Sequence, residues 1–442
     1  MRDNARTVAR GLANRPLGCN LPALDTREQS LGFDLLVRDA RLPEAGRGGP
    51  TVDIGVAGGR FAAVAPRLTE EAGEVVEAGG RLVSPGFVET HIHLDKTCII
   101  DRCACEEGRA HRAMERVSAV KHTFTVEDVA ERATRTLEKC VTHGTTLMRT
   151  HAEVDPKVGL RGFEGVRSLV KRYAWAIDIE ICVMPQEGLT NNPGTDELMV
   201  AALESGATVV GAAPSYDTDP VAQIRRVFEL ARRYGLDIDM HLDSGNTAEH
   251  LDLLLVCDLA EGYGWEGRVA IGHATKLSVM PPDRLKEVAA RLRDAGVAVT
   301  VLPSTDLYLG GRDQEWGVRR NVADANALKR LGVLCSISSN NILNPFTPMG
   351  DGQLIRQANL YANTAQRASP EELDDIWAMF TADSARLMRR ADHGIAPGNP
   401  ADFVLVDAPS AVDALREISP TLGAWKRGRR SFTRGAPVLH RP

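Results

Sequence analysis

The sequence lacks the features of a membrane-spanning, secreted or nucleic-acid-binding protein. No stretch approaches the roughly 18 consecutive apolar residues of a transmembrane helix, and residues 1–20 contain no apolar signal core. Lys and Arg total 53 against 59 Asp and Glu, so no basic excess indicates nucleic acid as the main partner. The eight cysteines are scattered without a CxxC motif, which is typical of reduced thiols. We therefore expect a cytoplasmic protein that acts on a small molecule, with no nucleic acid and no membrane as partner.

What the sequence does contain is a long alternation of short apolar runs with helical patterns. Helical spacing between a capping residue and a glycine covers residues 125–143, 219–234 and 281–295. Eight apolar runs lie before, between and after such helices, at residues 82–90, 145–150, 178–184, 207–213, 236–241, 269–271, 297–302 and 333–338. Eight parallel strands with crossover helices over about 300 residues specify a (β/α)8 barrel. A doubly wound sheet is the competing architecture.

Short strand patterns punctuated by glycine occur on both sides of that alternation. They lie at residues 33–37, 52–56 and 61–64, and again within residues 394–407. We expect one small sheet built from both termini, in a β-sandwich domain of residues 31–84 and 390–442. The predicted (β/α)8 TIM barrel covers residues 85–389, and residues 1–30 form an N-terminal arm. The predicted fold class is therefore α/β.

Histidines follow the predicted strands at the end where such a barrel builds its active site. The first run ends in His91 and His93, and residues i and i+2 of a strand face the same side, so both imidazoles point into the barrel mouth. The fifth run ends in His241, the sixth in His273 and the eighth in Asn340. Imidazoles from separate strands suit Zn, Fe or Co. The pattern predicts a metal site made by His91, His93 and His241.

Seven short motifs occur in a fixed order along the chain. They are SPGFVETHIHLD at residues 84–95, RTH at 149–151, PQEG at 185–188, HLD at 241–243, GH at 272–273, NPF at 344–346 and GNPAD at 398–402. Their combination and order resemble the amidohydrolase superfamily, in its cytosine deaminase-like branch. The resemblance extends from about residue 31 to residue 410.

The resemblance implies one divalent transition metal ion per chain, either Zn, Fe, Mn or Co. Its ligands would be His91, His93, His241 and the eighth-strand residue, Asn340. Residues 213–215 (APS) end the fourth run without the lysine that bridges two metals in binuclear relatives. His273 would contact the attacking water or the reacting group.

The resemblance also assigns substrate contacts and exposes departures from the branch. Gln186 matches the glutamine that binds the amide face of the substrate, and Asn341 stands where a substrate-contacting carboxylate is usual. Asn340 replaces an aspartate that also takes the proton of the attacking water, and an amide has no basic site. Ser244 replaces a glutamate that shuttles a proton to the ring nitrogen. These losses disfavour cytosine itself and leave His273 as the best general acid and base.

Two cations near the strand ends have alternative interpretations. Lys96 stands three residues after His93, as in branch members that hydrolyse N-substituted triazines, and we place it among the catalytic residues with His273 and Asn340. It would carry a proton or bind a substrate oxygen, or else be a solvated charge on the first loop. Arg149 and His151, at the end of the second run, would bind a carboxylate or phosphate-like group of the substrate, or else Arg149 would be a buried arginine bound to carbonyls beneath the site.

Three hypotheses of function follow. The first is a metal-dependent hydrolase that breaks a C–N bond of a small, nitrogen-rich, cyclic substrate, as a deaminase or an N-alkyl aminohydrolase does. The second is a hydrolase of an acyclic amide, carbamate or thiocarbamate, which the missing glutamate favours. The third is a metal- or ligand-binding homologue that has lost catalysis. The sequence leaves the oligomeric state open, although homo-oligomers are common among such enzymes.

Overall fold

The chain folds into a parallel barrel with two small sheets beside it. The computed structural model describes residues 32–104, 109–435 and 437–440, so the predicted arm at residues 1–30 lies outside the described residues. The strands are β1 (Phe33–Ala40), β2 (Val52–Ala57), β3 (Arg60–Ala65), β4 (Ala72–Glu77), β5 (Leu82–Pro85), β6 (Phe87–Ile92), β7 (Thr145–Glu153), β8 (Asp178–Met184), β9 (Val209–Ala212), β10 (Asp237–Leu242), β11 (Val269–His273), β12 (Val297–Val301), β13 (Cys335–Ile337), β14 (Phe403–Val406), β15 (Thr421–Lys426) and β16 (Arg429–Thr433). The helices are α1 (Ala110–Val120), α2 (Val126–Thr142), α3 (Arg161–Arg172), α4 (Thr195–Glu204), α5 (Pro220–Tyr234), α6 (Asp252–Tyr263), α7 (Pro282–Asp294), α8 (Pro303–Leu309), α9 (Ala325–Arg330), α10 (Leu354–Thr364), α11 (Pro370–Ala378), α12 (Ala382–Leu387) and α13 (Ala411–Glu417).

Strands β6 to β13 form the barrel. They make one sheet in sequential order, and each neighbouring pair is parallel. The ring closes beyond β13, where the Asn340 amide donates to the His91 carbonyl and the His93 amide donates to the Asn340 carbonyl, each at 2.9 Å. A doubly wound sheet would reverse its strand order and stay open. The predicted (β/α)8 barrel is therefore confirmed, and each of the eight predicted runs overlaps one of its strands.

One predicted apolar run, residues 82–90, contributes strands to two different sheets. Residues 82–85 pair with β14 outside the barrel, and the barrel strand β6 begins only at Phe87. Gly86 separates the two strands, and a Cβ atom there would lie 2.0 Å from the Thr146 hydroxyl oxygen. The chain can therefore cross from one sheet to the other only because this residue has no side chain.

The outer strands make two four-stranded sheets rather than the one small sheet that we expected. Their orders are β3-β2-β1-β4 and β16-β15-β14-β5, so only the second combines strands from both ends of the sequence. The two sheets share a core in which Phe403 lies against Phe61 at 5.9 Å and stacks on Trp425 at 4.6 Å between ring centroids. One face of each sheet is thereby buried, as the predicted sandwich requires.

The predicted helices form with the expected ends. The Thr125 hydroxyl accepts from the Asp128 amide at the start of α2, and the Asp219 carboxylate accepts from the Ala222 amide at the start of α5. Helix α5 ends at Gly235, whose φ of +69° suits glycine. None of the helices in the described residues has the length and apolar character to cross a membrane.

Candidate metal centre and active site

Three histidine side chains converge at the carboxyl ends of the barrel strands. The Nε2 atom of His241 lies 3.0 Å from Nε2 of His91 and 2.9 Å from Nε2 of His93. Strand β6 positions His91 and its neighbour His93, and β10 positions His241. All three are the residues that the strand-end pattern singled out as metal ligands, and the structure brings them together.

The chemistry of these imidazoles fits a bound cation. Burial, together with the nearby His151, lowers the pKa of His91 to about 3, and burial also holds the pKa of His93 and His241 well below the usual value. The rings are therefore neutral, and a neutral imidazole has the lone pair that a metal requires. Among the described residues, Nδ1 of His93 and Nδ1 of His241 have no hydrogen-bond partner. Lone pairs that face one another at 3 Å suit a shared positive ion.

A fourth histidine, to which we gave no metal role, also belongs to this cluster. One ligand atom each from His91, His151 and His241 lie within 4.8 Å of one another. The His151 ring lies against the His91 ring, with 3.9 Å between centroids. Its position on β7, next to β6, is the signal that could have found it, because neighbouring parallel strands end at the same edge.

Asp239 orients two of these histidines from beneath. Its Oδ1 lies 3.2 Å from Nδ1 of His91 and 3.4 Å from Nε2 of His151. Burial alone would raise the pKa of Asp239, but the two histidines hold it well below its usual range. The carboxylate accepts the Nδ1 proton of His91 and so leaves the Nε2 lone pair toward His241. Asp239 stands two residues before His241 on the same strand face, a spacing that we did not use.

The structure does not bring Arg149 to a place where it meets substrate. One side of its guanidinium contacts Asp239 Oδ2 at 3.2 Å and the other contacts Glu180 Oε2 at 3.1 Å. The side chain is buried and is not among the residues that line the cavity. Our assignment of Arg149 to the substrate therefore finds no support in the geometry. The arginine lies beneath the site, as its alternative interpretation has it, but it binds carboxylates rather than carbonyls.

A directional chain of hydrogen bonds fixes His273. Asn341 Nδ2 donates to Asn340 Oδ1 at 2.9 Å, and Asn340 Nδ2 lies 3.4 Å from Nε2 of His273. On the other side of the ring, Nδ1 lies 2.6 Å from Asp306 Oδ1. Because an ionised carboxylate only accepts, Nδ1 carries the proton and Nε2 keeps its lone pair. Sequence reasoning gave Asp306 no chemistry, although it follows the seventh strand at the active-site end.

At two of these residues the backbone has a conformation that residues other than glycine rarely adopt. The φ angle is +72° at His273 and +59° at Asn340, both in the left-handed region. Such conformations persist where the surrounding structure enforces them, and they cluster at functional sites. Asn340 Oδ1 accepts one hydrogen bond and has a second lone pair, so its chemistry fits the predicted role as a ligand.

The histidines open onto a cavity of about 420 Å³. That volume is in the usual range for a small-molecule site. The predicted residues that line it are His93, Gln186, His241, Ser244, His273 and Asn341. Asp306 and Arg312, on a loop that we expected to line the pocket, line it as well, and so does Phe346, which was not predicted to. The structure therefore gathers two of the candidate metal ligands, His273 and three candidate substrate residues around one space, while His91 and Asn340 are not among its lining residues.

Lys96 lies behind that wall rather than in it. Its ammonium donates to Gln186 Oε1 at 2.7 Å and faces Glu153 Oε2 at 3.5 Å. The residue is 1% exposed, so the alternative of a solvated charge on the first loop is wrong. Lys96 is also absent from the lining of the cavity, and its catalytic role stays a prediction without direct support from the geometry.

Comparison with known proteins decides the family. The sequence model of the Amidohydrolase family matches residues 82–430. The chain belongs to the amidohydrolase family. This match confirms the predicted superfamily and the predicted class of enzyme, a hydrolase that acts on C–N bonds.

Individual amidohydrolases are similar over nearly the whole chain. N-isopropylammelide isopropyl amidohydrolase from Pseudomonas sp. (strain ADP) is 26% identical over 90% of this chain and 97% of its own length. Pterin deaminase from Rhizobium rhizogenes is 28% identical over 80% of this chain and 82% of its own. The crystal structure of 5-methylcytosine deaminase from Klebsiella pneumoniae with phosphonocytosine superposes with a TM-score of 0.86, at 27% identity, over 92% of this chain and 100% of that one. The cytosine deaminase-like branch is thereby confirmed.

Proposed function

We propose that this amidohydrolase is a mononuclear metal enzyme that removes an amino or alkylamino group from a small, nitrogen-rich ring. The observation that carries the proposal is the convergence of the His91, His93 and His241 Nε2 atoms beside a cavity that also contains Gln186. The similar proteins support it, because their names describe hydrolysis of an alkylamino-substituted ring and deamination of pterin and 5-methylcytosine.

We assign the ligands to His91, His93, His241 and Asn340 rather than to a set that includes His151. His151 Nε2 faces the Asp239 carboxylate at 3.4 Å, whereas Nε2 of His91 and Nε2 of His93 face Nε2 of His241, and both His93 and His241 line the cavity. An ion at the cavity wall is accessible to substrate, and His151 is then a packing partner of His91. Strand β9 is followed by Ala213 and Pro214, which offer no lysine to bridge a second ion. Zn, Fe, Mn and Co all suit this donor set.

His273 handles the protons in this proposal. A divalent ion held by the four ligands would act as a Lewis acid and make water nucleophilic at neutral pH. His273 Nε2 has its lone pair toward Asn340 and the cavity, because Asp306 holds the proton on Nδ1. It can therefore accept a proton from the attacking water and return it to the leaving nitrogen. Gln186 and Asn341 orient the ring.

One observation favours the second hypothesis, an acyclic amide, carbamate or thiocarbamate as substrate. Ser244 lines the cavity where the branch has a glutamate that protonates a ring nitrogen. An acyclic leaving group needs no such proton. A small-molecule substrate is common to both hypotheses, while the cytoplasmic location and a homo-oligomer stay predictions.

The deciding experiment is hydrolysis of a substrate panel by the metal-loaded protein. The panel contains amino- and alkylamino-substituted pyrimidines, triazines and pteridines, together with acyclic amides, carbamates and thiocarbamates. We expect ammonia or amine release from rings by the wild type and none by His241→Ala, which should also lose its metal. His122→Ala is the matched control, since His122 is exposed and lies outside the cavity.

Each other result points to a different hypothesis. Hydrolysis of acyclic compounds alone would move the assignment to the second one. A protein that binds its metal and hydrolyses nothing on the panel would be the non-catalytic homologue.

A further inference from the structure

Two guanidinium groups at the opening of the cavity have no carboxylate partner among the described residues. Arg109 and Arg312 line the cavity and are exposed, whereas His93 and His273 of the same lining are buried. The arginines therefore lie at the outer end of the space that the histidines border. Within the described part of the chain, both guanidinium groups hydrogen-bond only to main-chain carbonyls, Arg109 to that of Arg312 at 3.4 Å and Arg312 to that of Tyr308 at 2.9 Å.

The carboxylates of the same lining are, by contrast, each held by a group of the protein. Every one of them has a donor within 2.6 to 3.0 Å: Asp306 has His273, Asp243 has Lys276, Asp252 has His250 and Asp313 has Asn246. The lysine of the lining is matched by its aspartate in the same way. Among the described residues, the charges that the protein leaves unmatched in this cavity are thus the two positive ones at its opening. Unmatched positive charge there favours a ligand with a negative group.

Hydrogen bonds at the opening hold the loop that carries Arg312. Asn246 Nδ2 donates to Asp313 Oδ1 at 2.8 Å, and Nδ2 of the buried Asn321 donates to Asn246 Oδ1 at 2.6 Å. Asp313 and Asn321 belong to the loop after α8, whereas Asn246 follows β10. The loop is therefore fastened to the neighbouring strand end on both sides of its tip, and the backbone of Arg312 is fixed beside the cavity.

Both guanidinium groups keep N–H donors for a ligand. The Arg312 guanidinium lies over the Tyr308 ring, 4.8 Å from its centroid, and its Nε donates to the Tyr308 carbonyl. Its two terminal nitrogens have no acceptor among the described residues, and Arg109 uses only one of its terminal nitrogens. A planar guanidinium presents parallel N–H groups, which match the two oxygens of a carboxylate.

We propose that Arg109 and Arg312 form a subsite for a carboxylate, so that the cavity takes a nitrogen-rich ring bearing an exocyclic carboxylate that points to the opening. The proposal rests on the proposed function, because it names the substrate class of the same cavity. A volume of about 420 Å³ suits a drug-sized ligand and therefore leaves room beyond a single bare ring. The anionic group that we expected at Arg149 is thus assigned to the opening instead. A carboxamide has the same shape but no charge, and it should bind about tenfold less tightly.

The test compares a ring carboxylate with the carboxamide of the same shape. The probes are 4,6-diamino-1,3,5-triazine-2-carboxylate and its 2-carboxamide, in which the two amino groups are equivalent and the third substituent points away from both. Each is titrated calorimetrically into the Zn²⁺-loaded protein in a His273→Asn background, which suppresses turnover. The test variant combines Arg109→Met with Arg312→Met, and both side chains are exposed, so it should fold and keep its metal. Arg319→Met is the matched control, because Arg319 is an exposed arginine of the same loop that does not line the cavity.

We expect the carboxylate to bind about tenfold more tightly than the carboxamide to the protein with both arginines intact. The double variant should bring this ratio near one, and Arg319→Met should preserve it. Equal binding of the two compounds with both arginines present would overturn the proposal while leaving the hydrolase assignment intact. An unchanged preference in the double variant would overturn it as well, because the carboxylate would then be bound by another group, such as the metal ion. Absence of binding by both compounds would instead contradict the ring substrate, and this inference would fail with the proposed function.

Discussion

Titratable side chains are buried at both ends of the barrel, but their surroundings differ. At the end where the strands begin, the Lys426 ammonium donates to the Thr146 carbonyl at 3.0 Å and pairs with Asp178 at 2.9 Å and with Asp402. His393 at the same end bonds the Gly86 carbonyl at 2.9 Å. At the end where the strands finish, His91, His93 and His241 face one another.

This difference distinguishes the end of the barrel that stabilises the fold from the end that forms the candidate active site. The charges around Lys426 are matched within the protein, and they join the outer sheets to the barrel. At the other end, ring nitrogens of His93 and His241 have no hydrogen-bond partner among the described residues, and both residues border a cavity. A matched set of buried charges is expected at the stability face of a barrel, and buried imidazole nitrogens that face one another beside a cavity indicate a face that binds something.

The largest expected effect is a loss of catalysis from a substitution at the cavity end, which should leave the other end of the barrel undisturbed. His273→Asn should keep the bound metal and the folding stability but lose at least about 10²-fold in kcat, the usual size of a general acid–base contribution. Metal analysis and steady-state kinetics measure the two quantities. Asp306→Asn should lose activity in the same direction but to a smaller extent, since the ring stays in place. Near-full turnover in His273→Asn would mean that the proton carrier is another group.

A substitution at the opposite end should lower the stability of the fold and leave catalysis unchanged. Lys426→Met leaves Asp178 and Asp402 partly buried without their main partner, so we expect the free energy of unfolding to fall by about 3 kcal/mol. The kcat of the folded, metal-loaded enzyme should not change. Urea unfolding followed by circular dichroism measures the loss. Arg427→Met is the matched control, because its side chain is half-exposed on the same Asp178 and should contribute under about 1 kcal/mol. Equal losses in the two variants would contradict the contrast between buried and exposed pairs.

The smallest expected effect is the acid sensitivity of that same end. Burial would raise the pKa of Asp178, but Lys426 and Arg427 lower it below the usual value. A carboxyl group with a lowered pKa in the folded state stabilises the protein above its unfolded pKa of about 3.9, and this contribution disappears as the pH falls through the folded pKa. The wild type should therefore lose more stability below about pH 4 than Lys426→Met does. Parallel stability curves of the two proteins from pH 5 downward would show that Asp178 is not the group concerned.

The same contrast explains how much could be predicted from the sequence. The barrel and the positions of His91, His93 and His241 were predictable, because periodicity locates each strand end and parallel strands finish at one edge. Asp239 and Asp306 were missed because their roles depend on partners that are remote in sequence: Asp239 stands 148 residues from His91 and Asp306 33 residues from His273.

Two further differences have local causes. Lys96 lies in the loop that follows β6, so the sequence could not show whether this loop turns it toward solvent or back against Gln186. The run at residues 82–90 reads as one strand because its apolar pattern continues through Gly86, where the structure changes sheets.

The central claim, that activity depends on one metal ion per chain, is tested most directly by a metal titration of chelator-treated protein. Amine or ammonia release from the best ring substrate is followed at each step. The proposed single site, with His91, His93, His241 and Asn340 as ligands, predicts that activity rises linearly with added Zn²⁺, Fe²⁺, Mn²⁺ or Co²⁺ and levels off at one ion per chain. A rise that continues to two ions per chain would contradict the single site. Full activity in the protein without metal would contradict the metal-dependent mechanism itself.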